Sequence, residues 1–358
     1  MLKTLDYYII KKFLGTFFFA LALIILVSIV FDFSERIDDF LEKQAPLRAI
    51  IFDYYLNFIP YFTNLFSFLF VFIAVIFFTS NLSVHSEIKA ILSTGISYHR
   101  FMVPYLISAA LIAILTYLLA HFLIPYANVG RLDFEDKYIN KTSGTIPKDI
   151  HKQIAPGVFI YMEHFNPRSN FAPKFSMEKY VDGVMVSKLM ADYIQYDTTR
   201  QTWTIRNYFL REINGLKETI TEGQSMDTLL NMTPEEFKRR SNVVEAMTTP
   251  ELKRFVEQEL SRGHGDVYYS IELYRRTASS FAVFILTIIG VSLSSKPVRG
   301  GRGMHIGFGI ALSFSYIMFM KVSTELATAG DLSAWMAVWI PNFIFAAIAL
   351  VLYRIAPK

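Results

Sequence analysis

Cysteine is absent from the 358-residue sequence, and charged residues are scarce. Without cysteine the chain cannot form disulfides, bind zinc through thiolates or use a catalytic thiol. Charged residues make up 18% of the chain and hydrophobic residues 53%, whereas an ordinary soluble domain has about 25% charged residues. The polar groups are too few to cover a surface that faces water. The net charge of +4 is not concentrated in a basic stripe, so the sequence does not predict a nucleic-acid partner.

The sequence also lacks the motifs that bind nucleotides or carry common hydrolytic chemistry. It contains no G-x-x-x-x-G-K-[ST], H-E-x-x-H or G-x-S-x-G motif. The glycine-rich stretch 300–303 is interpreted as a flexible turn, with a phosphate nest as the alternative. The seven histidines have no metal-ligand spacing, and His121 is interpreted as a packed or interfacial side chain. We therefore predict no cofactor, no metal and no enzymatic activity, so that a partner must supply the energy for any active transport.

Six apolar runs are long enough to cross a bilayer, which requires about 20 residues per helix. They lie at 13–31, 58–79, 102–124, 277–295, 304–326 and 335–353. A signal peptide is the competing interpretation of the first run. That run ends without a small-residue cleavage site and is long enough to span, so we interpret it as a retained helix. Three runs precede a long polar segment and three follow it.

The distribution of Lys and Arg in the short connections predicts the orientation of the spans. One side carries Lys3, Lys11, Lys12, Lys89, Arg100, Lys296, Arg299, Arg302, Arg354 and Lys358. The short loops of the other side carry fewer cations among many carboxylates. Both termini are therefore expected in the cytoplasm, and the polar insert outside it.

The insert, residues 126–245, is typical of an all-β domain. Short aromatic and β-branched segments at 157–162, 185–189 and 202–208 are separated by turn residues. Two helix starts with capping-box spacing follow, at 233–236 and 248–251. The predicted fold is a membrane all-α protein with six transmembrane helices, 3 + 3, and an inserted extracytoplasmic all-β jellyroll. The predicted divisions are 1–125, 126–245, a linking helix at 246–270, and 271–358.

The loop between the second and third runs predicts a short amphipathic helix at about residues 83–96. Ile88, Ile91 and Leu92 form an apolar ridge, and Gly95 ends the helix. One interpretation is a simple connection at the membrane surface. The other is a projection that fits a groove on a soluble partner, with Glu87 pairing with a partner arginine.

Several segments together resemble one family of membrane proteins. Residues 87–97, EIKAILSTGIS, are similar to the coupling helix of the LptF/LptG permeases, the membrane subunits of the lipopolysaccharide exporter. Further matches are MTTPEL at 247–252, ELYRR at 272–276, GVSL at 290–293, GDL at 330–332 and WIPN at 339–342. With the layout of three spans, a β domain and three spans, the resemblance covers nearly the whole chain.

The resemblance implies a permease subunit of an ABC-type lipopolysaccharide exporter in the inner membrane of a Gram-negative bacterium. It implies a second LptF/LptG-type permease, an LptB-like ATPase dimer docked on the coupling helices, and LptC-like and LptA-like periplasmic proteins. Glu87 would then contact the ATPase. One departure from the family pattern lies at the outer end of the first span, where Asp32 and Arg36 stand instead of a lysine.

Cations near the outer ends of the spans are candidates for contact with the phosphates of an anionic glycolipid. They are Arg36, Arg131, Lys137, Arg275, Arg276 and Lys321. Structural anchoring is the alternative for each taken singly. For Lys321 the alternative is a lysine that extends to the interface and pairs with Glu325.

Two other functions compete with lipid export. A membrane-anchored receptor or assembly scaffold would use the β domain to bind a ligand, but a single span would suffice to anchor it. An intramembrane enzyme acting on lipid would require a nucleophile or a metal cluster, and the sequence has no such arrangement.

Overall fold

The computed structural model describes residues 3–139, 148–166, 169–238, 241–263, 267–296 and 301–356. The contacts divide the chain into two compact units. The helical unit comprises Met1–Asn140, Glu245–Thr249 and Val267–Lys358, and the sheet unit comprises Lys141–Val244 and Pro250–Asp266. The segment 245–249 therefore belongs to the helical unit, although the residues before and after it belong to the sheet unit. From residue 267 onwards the chain forms the last three long helices of the helical unit.

Six helices of the helical unit are long and apolar enough to cross a membrane. They are α1 (Thr4–Glu42), α2 (Leu47–Val84), α4 (Tyr98–Tyr138), α7 (Val267–Ser294), α8 (Gly301–Thr328) and α9 (Ala334–Ile355). The short helix α3 (Glu87–Ser93) lies between α2 and α4. The six predicted runs thus correspond to six helices, and an inserted β domain separates the third from the fourth, which confirms the predicted fold class.

Two of the long helices contain a wider, π-helical segment. In α2 this segment is Ile50–Tyr55, and in α4 it is Leu119–Leu123. Pro125 lies two residues after the end of the second segment, and a proline cannot donate a hydrogen bond to the carbonyl four residues earlier. A wider turn is one way in which a helix accommodates such an interruption. Each segment changes which side chains face the neighbouring helices.

The long helices differ in how much of their surface the chain itself covers. In the most apolar stretches of α2, α4 and α7, 56%, 50% and 61% of residues are buried, against 17% in α1 and 22% in α8. Small residues bring the covered helices close: a Cβ on Gly290 of α7 would lie 2.8 Å from a Val75 methyl of α2. Lipid or another protein chain must cover the apolar surfaces of α1 and α8.

A buried polar bridge joins the last three long helices. The Tyr316 hydroxyl of α8 donates to the Asn342 side-chain oxygen of α9 at 2.9 Å, and the Asn342 amide donates to the Ala278 carbonyl of α7 at 3.1 Å. Tyr316 and Asn342 are both buried. The Tyr316 hydroxyl and the Asn342 carboxamide are therefore paired in the interior, where an unpaired polar group is costly.

The sheet unit is built on one six-stranded antiparallel sheet whose strands pair in sequence order. The strands are β1 (Lys148–Ala155), β2 (Val158–His164), β3 (Phe171–Val181), β4 (Val184–Asp197), β5 (Thr202–Asn214) and β6 (Lys217–Thr228). Strands that pair in sequence order form a meander. A jellyroll usually contains crossover connections between strands, and none occurs among these six strands. The buried core includes Phe165, Phe175 and Trp203, and the Trp203 indole donates to the Met232 carbonyl at 3.0 Å.

Several boundaries differ from those expected. Helix α4 continues to Tyr138, past the predicted start of the β domain at 126, because apolar residues at helical spacing extend beyond Pro125. The short helices are α5 (Pro234–Lys238) and α6 (Thr249–Ser261), and α7 already begins at Val267. Pro167, in a predicted turn, and Gly300 lie outside the described residues. Gly301 begins α8, so residues 301–303 are helical rather than part of a flexible turn.

Candidate functional site

Helix α3 lies where the amphipathic helix was expected but is shorter. Residues 83 and 84 belong to α2, and Ser86 has a left-handed backbone (φ 60°) that separates the two helices. Glu87 is half-buried in the first turn of α3, where its charge interacts favourably with the helix dipole. At the other end Gly95 has φ +86°, and its N–H donates to the Leu92 carbonyl at 3.1 Å. Glycine adopts this conformation without the steric penalty of a Cβ.

The apolar ridge of α3 faces the spanning helices. Ile88 is only 2% exposed in the core formed by α1, α2, α4 and α7, and Ile91 and Leu92 pack against the same core. The exposed face carries Lys89 and Ser93 instead. These three apolar residues therefore attach α3 to the bundle, and a soluble partner has access to the opposite face.

An ion pair joins the start of α1 to the start of α4. The Arg100 guanidinium donates two hydrogen bonds to the Asp6 carboxylate, one of them 2.7 Å long. The Asp6 side chain is 3% exposed, and it also accepts from the Lys3 backbone N–H at 2.7 Å. Sequence reasoning missed this pair, because no local pattern connects residues so far apart in the chain.

A cavity of about 460 Å³ lies within the helical unit. Side chains of α2, α4, α7 and α8 line it together with Glu245. Its apolar lining includes Leu65, Phe68, Ala120, Ile124, Ile271, Tyr316, Ile317 and Met320. Three of the predicted cations also line it, namely Arg275, Arg276 and Lys321. The structure thus brings half of the predicted cation set to one apolar cavity.

Each cation of the cavity has a carboxylate beside it. Glu272 accepts a hydrogen bond from Arg275 and lies 3.5 Å from the Arg276 Nε. Lys321 lies 2.9 Å from Glu325. With Glu245, the described lining contains three cations and three carboxylates, so its formal charge is zero. Lys321 therefore pairs with Glu325 and also lies on the cavity wall.

The other predicted cations lie outside the cavity lining. Arg131 is 9% exposed and lies beside it, 3.4 Å from Glu245, 3.6 Å from Glu135 and over the Tyr61 ring at 4.8 Å. Lys137 lies over the Tyr138 ring at 5.0 Å. The contacts of Arg131 anchor it to α2 and to Glu245, whereas the contact of Lys137 lies within its own helix.

Arg36 belongs to a separate polar cluster on α1 and α2. Its Nε donates to Asp32 at 2.8 Å, and the hydroxyls of Tyr54 and Tyr55 donate to the same carboxylate at 3.2 Å each. The π-helical segment of α2 carries both tyrosines. The predicted cations therefore do not form one continuous ring.

Two carboxamide oxygens give the cavity additional polar character. The side-chain oxygens of Asn64 and Asn128 are buried and have no hydrogen-bond partner among the described residues. Both residues line the cavity. A hydroxyl or amide group of a bound molecule, or water, would satisfy them. The cavity thus combines an apolar wall with acceptors and paired charges, a combination that suits an amphiphile with a polar anionic head.

Partly buried hydrogen bonds fasten the segment Glu245–Thr249 to the helical unit. The Asn128 amide donates to the Glu245 carbonyl at 3.1 Å, and Arg276 donates to the Met247 carbonyl at 2.9 Å. His121 is hydrogen-bonded to the Thr249 hydroxyl at 2.8 Å. His121 is therefore a packed histidine, while Arg276 acts here as a structural donor. In the sequence, the MTTPEL match and the helix start at 248–251 marked this segment.

A comparison with protein families shows which family the chain belongs to. The sequence profile described as "Lipopolysaccharide export system permease LptF/LptG" matches residues 7–355, which is essentially the whole chain. This chain belongs to the LptF/LptG family. The LptF/LptG permease is thus a multi-pass inner-membrane protein of the lipopolysaccharide export machinery, and a component of a transporter rather than an enzyme. A search of curated proteins found no match.

Proposed function

We propose that this LptF/LptG permease extracts lipopolysaccharide from the inner membrane, taking its anionic head into the cavity beside Arg275 and Lys321. A cytoplasmic LptB-like ATPase dimer drives the cycle, and a second LptF/LptG-type permease covers the apolar surfaces of α1 and α8. The lipid then passes through the sheet unit to LptC-like and LptA-like periplasmic proteins. The observation that carries this proposal is a largely apolar cavity with cations on its wall in a chain of this family.

The orientation follows from the positive-inside rule. Helix α3 and both termini are on the cytoplasmic side, and the sheet unit is periplasmic. Strand β6 supports a role in handing on the lipid: it pairs with β5 along one side, and no described strand pairs with its other side. An unpaired strand edge is a surface on which another β-protein can add a strand.

The exposed face of α3 provides the site for the ATPase. Glu87 lies at its start and is accessible, whereas Ile88 is buried in the bundle. Force applied to the exposed face therefore reaches the spanning helices through the apolar ridge. In this proposal Glu87 makes the contact, while Ile88, Ile91 and Leu92 transmit it.

Charge reversal at Glu87 tests this assignment. We expect Glu87→Arg to remove an ion pair with the ATPase, so that the purified complex releases lipopolysaccharide at least about tenfold more slowly. Release from proteoliposomes and ATP hydrolysis are measured in parallel. Lys253→Glu, a charge reversal at an exposed position of α6, is the control and should leave both rates unchanged. Normal release by Glu87→Arg would refute the proposed coupling.

A further inference from the structure

Glu245 occupies an unusual position for a carboxylate. It lines the apolar cavity, its side chain is 15% exposed, and it belongs to the short segment that the chain inserts into the helical unit between two parts of the sheet unit. Desolvation by burial, assisted by the nearby negative charge of Glu272, raises the pKa of the Glu245 carboxyl. Its anionic form is therefore held only through neighbouring cations.

Arg131, whose guanidinium lies 3.4 Å from the Glu245 carboxylate, can donate a further hydrogen bond. Arg131 is buried, yet its Nε has no hydrogen-bond partner among the described residues. Its distance to the Glu245 carboxylate is 3.4 Å and to Glu135 3.6 Å. Charge-assisted hydrogen bonds of this kind are normally about 2.8 Å long. Both contacts are thus looser than an optimal pair, and a better-placed anion would bind Arg131 more strongly.

Arg275 adds a second cation that acts on the same carboxylate. Its positive charge interacts with Glu245 electrostatically, and its side chain is 45% exposed on the cavity wall. Because the described lining has no excess positive charge, an anionic group can enter favourably only by replacing a resident carboxylate. Glu272 and Glu325 lie within the long helices α7 and α8, whereas Glu245 lies near the end of a short 3₁₀ helix, Ser241–Ala246, at the start of the inserted segment.

We propose that Glu245 is the counter-anion of Arg131 and Arg275 until a glycolipid enters the cavity. The phosphate of the glycolipid then displaces Glu245 from both arginines, and this displacement loosens the segment Glu245–Thr249. This inference rests on the proposed function, because it takes the cavity as the lipid site. The displaced carboxylate carries its backbone with it, which strains the Asn128 bond to the Glu245 carbonyl and the Arg276 bond to the Met247 carbonyl. Since the sheet unit flanks the segment on both sides in the chain, occupancy of the cavity is thereby communicated to the domain that receives the lipid.

Hydrogen exchange of the assembled, purified permease complex in nanodiscs tests the proposal directly. The probe is diphosphoryl lipid A, compared with the same lipid after removal of both phosphates. We expect the backbone amides of residues 245–249 to exchange about fivefold faster when the phosphorylated lipid is bound, and to be unchanged with the other lipid. This comparison requires no substitution and so does not depend on the folding of a variant.

A matched pair of variants separates Glu245 from the general charge of the cavity. Glu245→Gln and Glu325→Gln each remove one negative charge from the lining. We expect Glu245→Gln to bind diphosphoryl lipid A about fivefold more tightly, since no resident anion competes, and to show fast exchange at 245–249 even without lipid. Glu325→Gln frees Lys321 on the same wall and so can also tighten lipid binding, but it should leave exchange at 245–249 slow without lipid and faster with it, as in wild type.

The outcomes distinguish the two proposals. If wild-type complex does not bind diphosphoryl lipid A, the proposed function fails, and the inference about Glu245 with it. If the lipid binds but exchange at 245–249 stays constant or slows, the counter-anion proposal alone is wrong. Weaker binding by Glu245→Gln would also overturn it, since that result would make Glu245 a ligand-supporting group.

Discussion

Arg275 and Arg276 are adjacent in the chain, yet their guanidinium groups have different surroundings. Arg276 is 4% exposed and donates to the Met247 carbonyl and the Thr249 hydroxyl. Arg275 is 45% exposed on the cavity wall and donates to Glu272. One arginine therefore holds the structure together, and the other faces the cavity.

Alanine substitutions should separate these two roles. Arg276→Ala leaves buried acceptors without donors, so we expect the permease to lose about 3 kcal/mol of stability. Arg275→Ala should cost less than about 1 kcal/mol, because its ion pair is partly exposed, but it should weaken binding of diphosphoryl lipid A about fivefold. Thermal unfolding in detergent and lipid titration measure the two effects. A larger loss of stability in Arg275→Ala would contradict the assignment.

The sequence predicted both arginines as cations near a membrane boundary but not their different directions. Helix α7 begins at Val267, ten residues before the expected start of the span at 277, so both side chains project from within a helix. Which of them meets the segment 245–249 depends on contacts between residues far apart in the chain. No local pattern of apolar and polar residues contains that information.

At the level of elements, helix α3 shows how far periodicity can predict structure. The spacing of Ile88, Ile91 and Leu92 correctly indicated an apolar ridge, but not the surface that the ridge would cover. Similarly, the apolar runs predicted six spans, whereas the π-helical segments of α2 and α4 were not foreseen. A π-helix differs from an α-helix by a slight widening of the turn, and the hydrophobic pattern averages over that difference.

Shortening one side chain of the ridge should detach α3 from the bundle. Ile88→Ala removes a fully packed side chain, so we expect a local loss of about 3 kcal/mol. Amides of residues 87–93 should then exchange faster, while ATP hydrolysis by the complex continues with little lipid release. Lys89→Ala, on the exposed face, is the control and should leave exchange unchanged. Equal effects of the two substitutions would mean that the ridge does not anchor the helix.

At the level of the whole molecule, the helical unit and the sheet unit have separate cores. In the sheet unit a buried cluster of charges joins α5 and α6 to β1. Glu236 accepts from Lys152 at 2.5 Å and from Arg262 at 2.8 Å, and Arg262 also donates to Glu259 at 2.9 Å. The sequence predicted the starts of α5 and α6 but not β1, and the strand order and this cluster arise from long-range pairing that it does not encode locally.

The cluster predicts how the sheet unit responds to acid. Burial opposes ionisation of Glu236, but its bonds with Lys152 and Arg262 outweigh that effect and hold its pKa below the ordinary value of 4.5. A carboxyl with a lowered pKa in the folded state stabilises the fold above the unfolded pKa, and this contribution is lost as the pH falls through the folded pKa. The stability of the sheet unit should therefore decrease from about pH 5 downwards.

Glu236→Gln isolates this contribution. We expect the variant to be less stable than wild type by about 3 kcal/mol at pH 7, because a buried partner of Lys152 and Arg262 is lost. The difference should shrink as the pH falls from about 5 to 3, since wild type then becomes protonated as well. Circular dichroism of the β signal during thermal unfolding provides the measurement. A difference independent of pH would show that Glu236 is not ionised in the folded protein.

The bridge from Tyr316 to Asn342 and Ala278 has a mechanical consequence for α8. The tyrosine lies near the midpoint of this lightly covered span, and its hydroxyl bond attaches α8 to α9. A helix attached near its centre can tilt about the attachment without breaking it, whereas sliding along the membrane normal breaks it. We therefore expect a displacement at one end of α8 to reach its other end by tilting about this bond rather than by sliding.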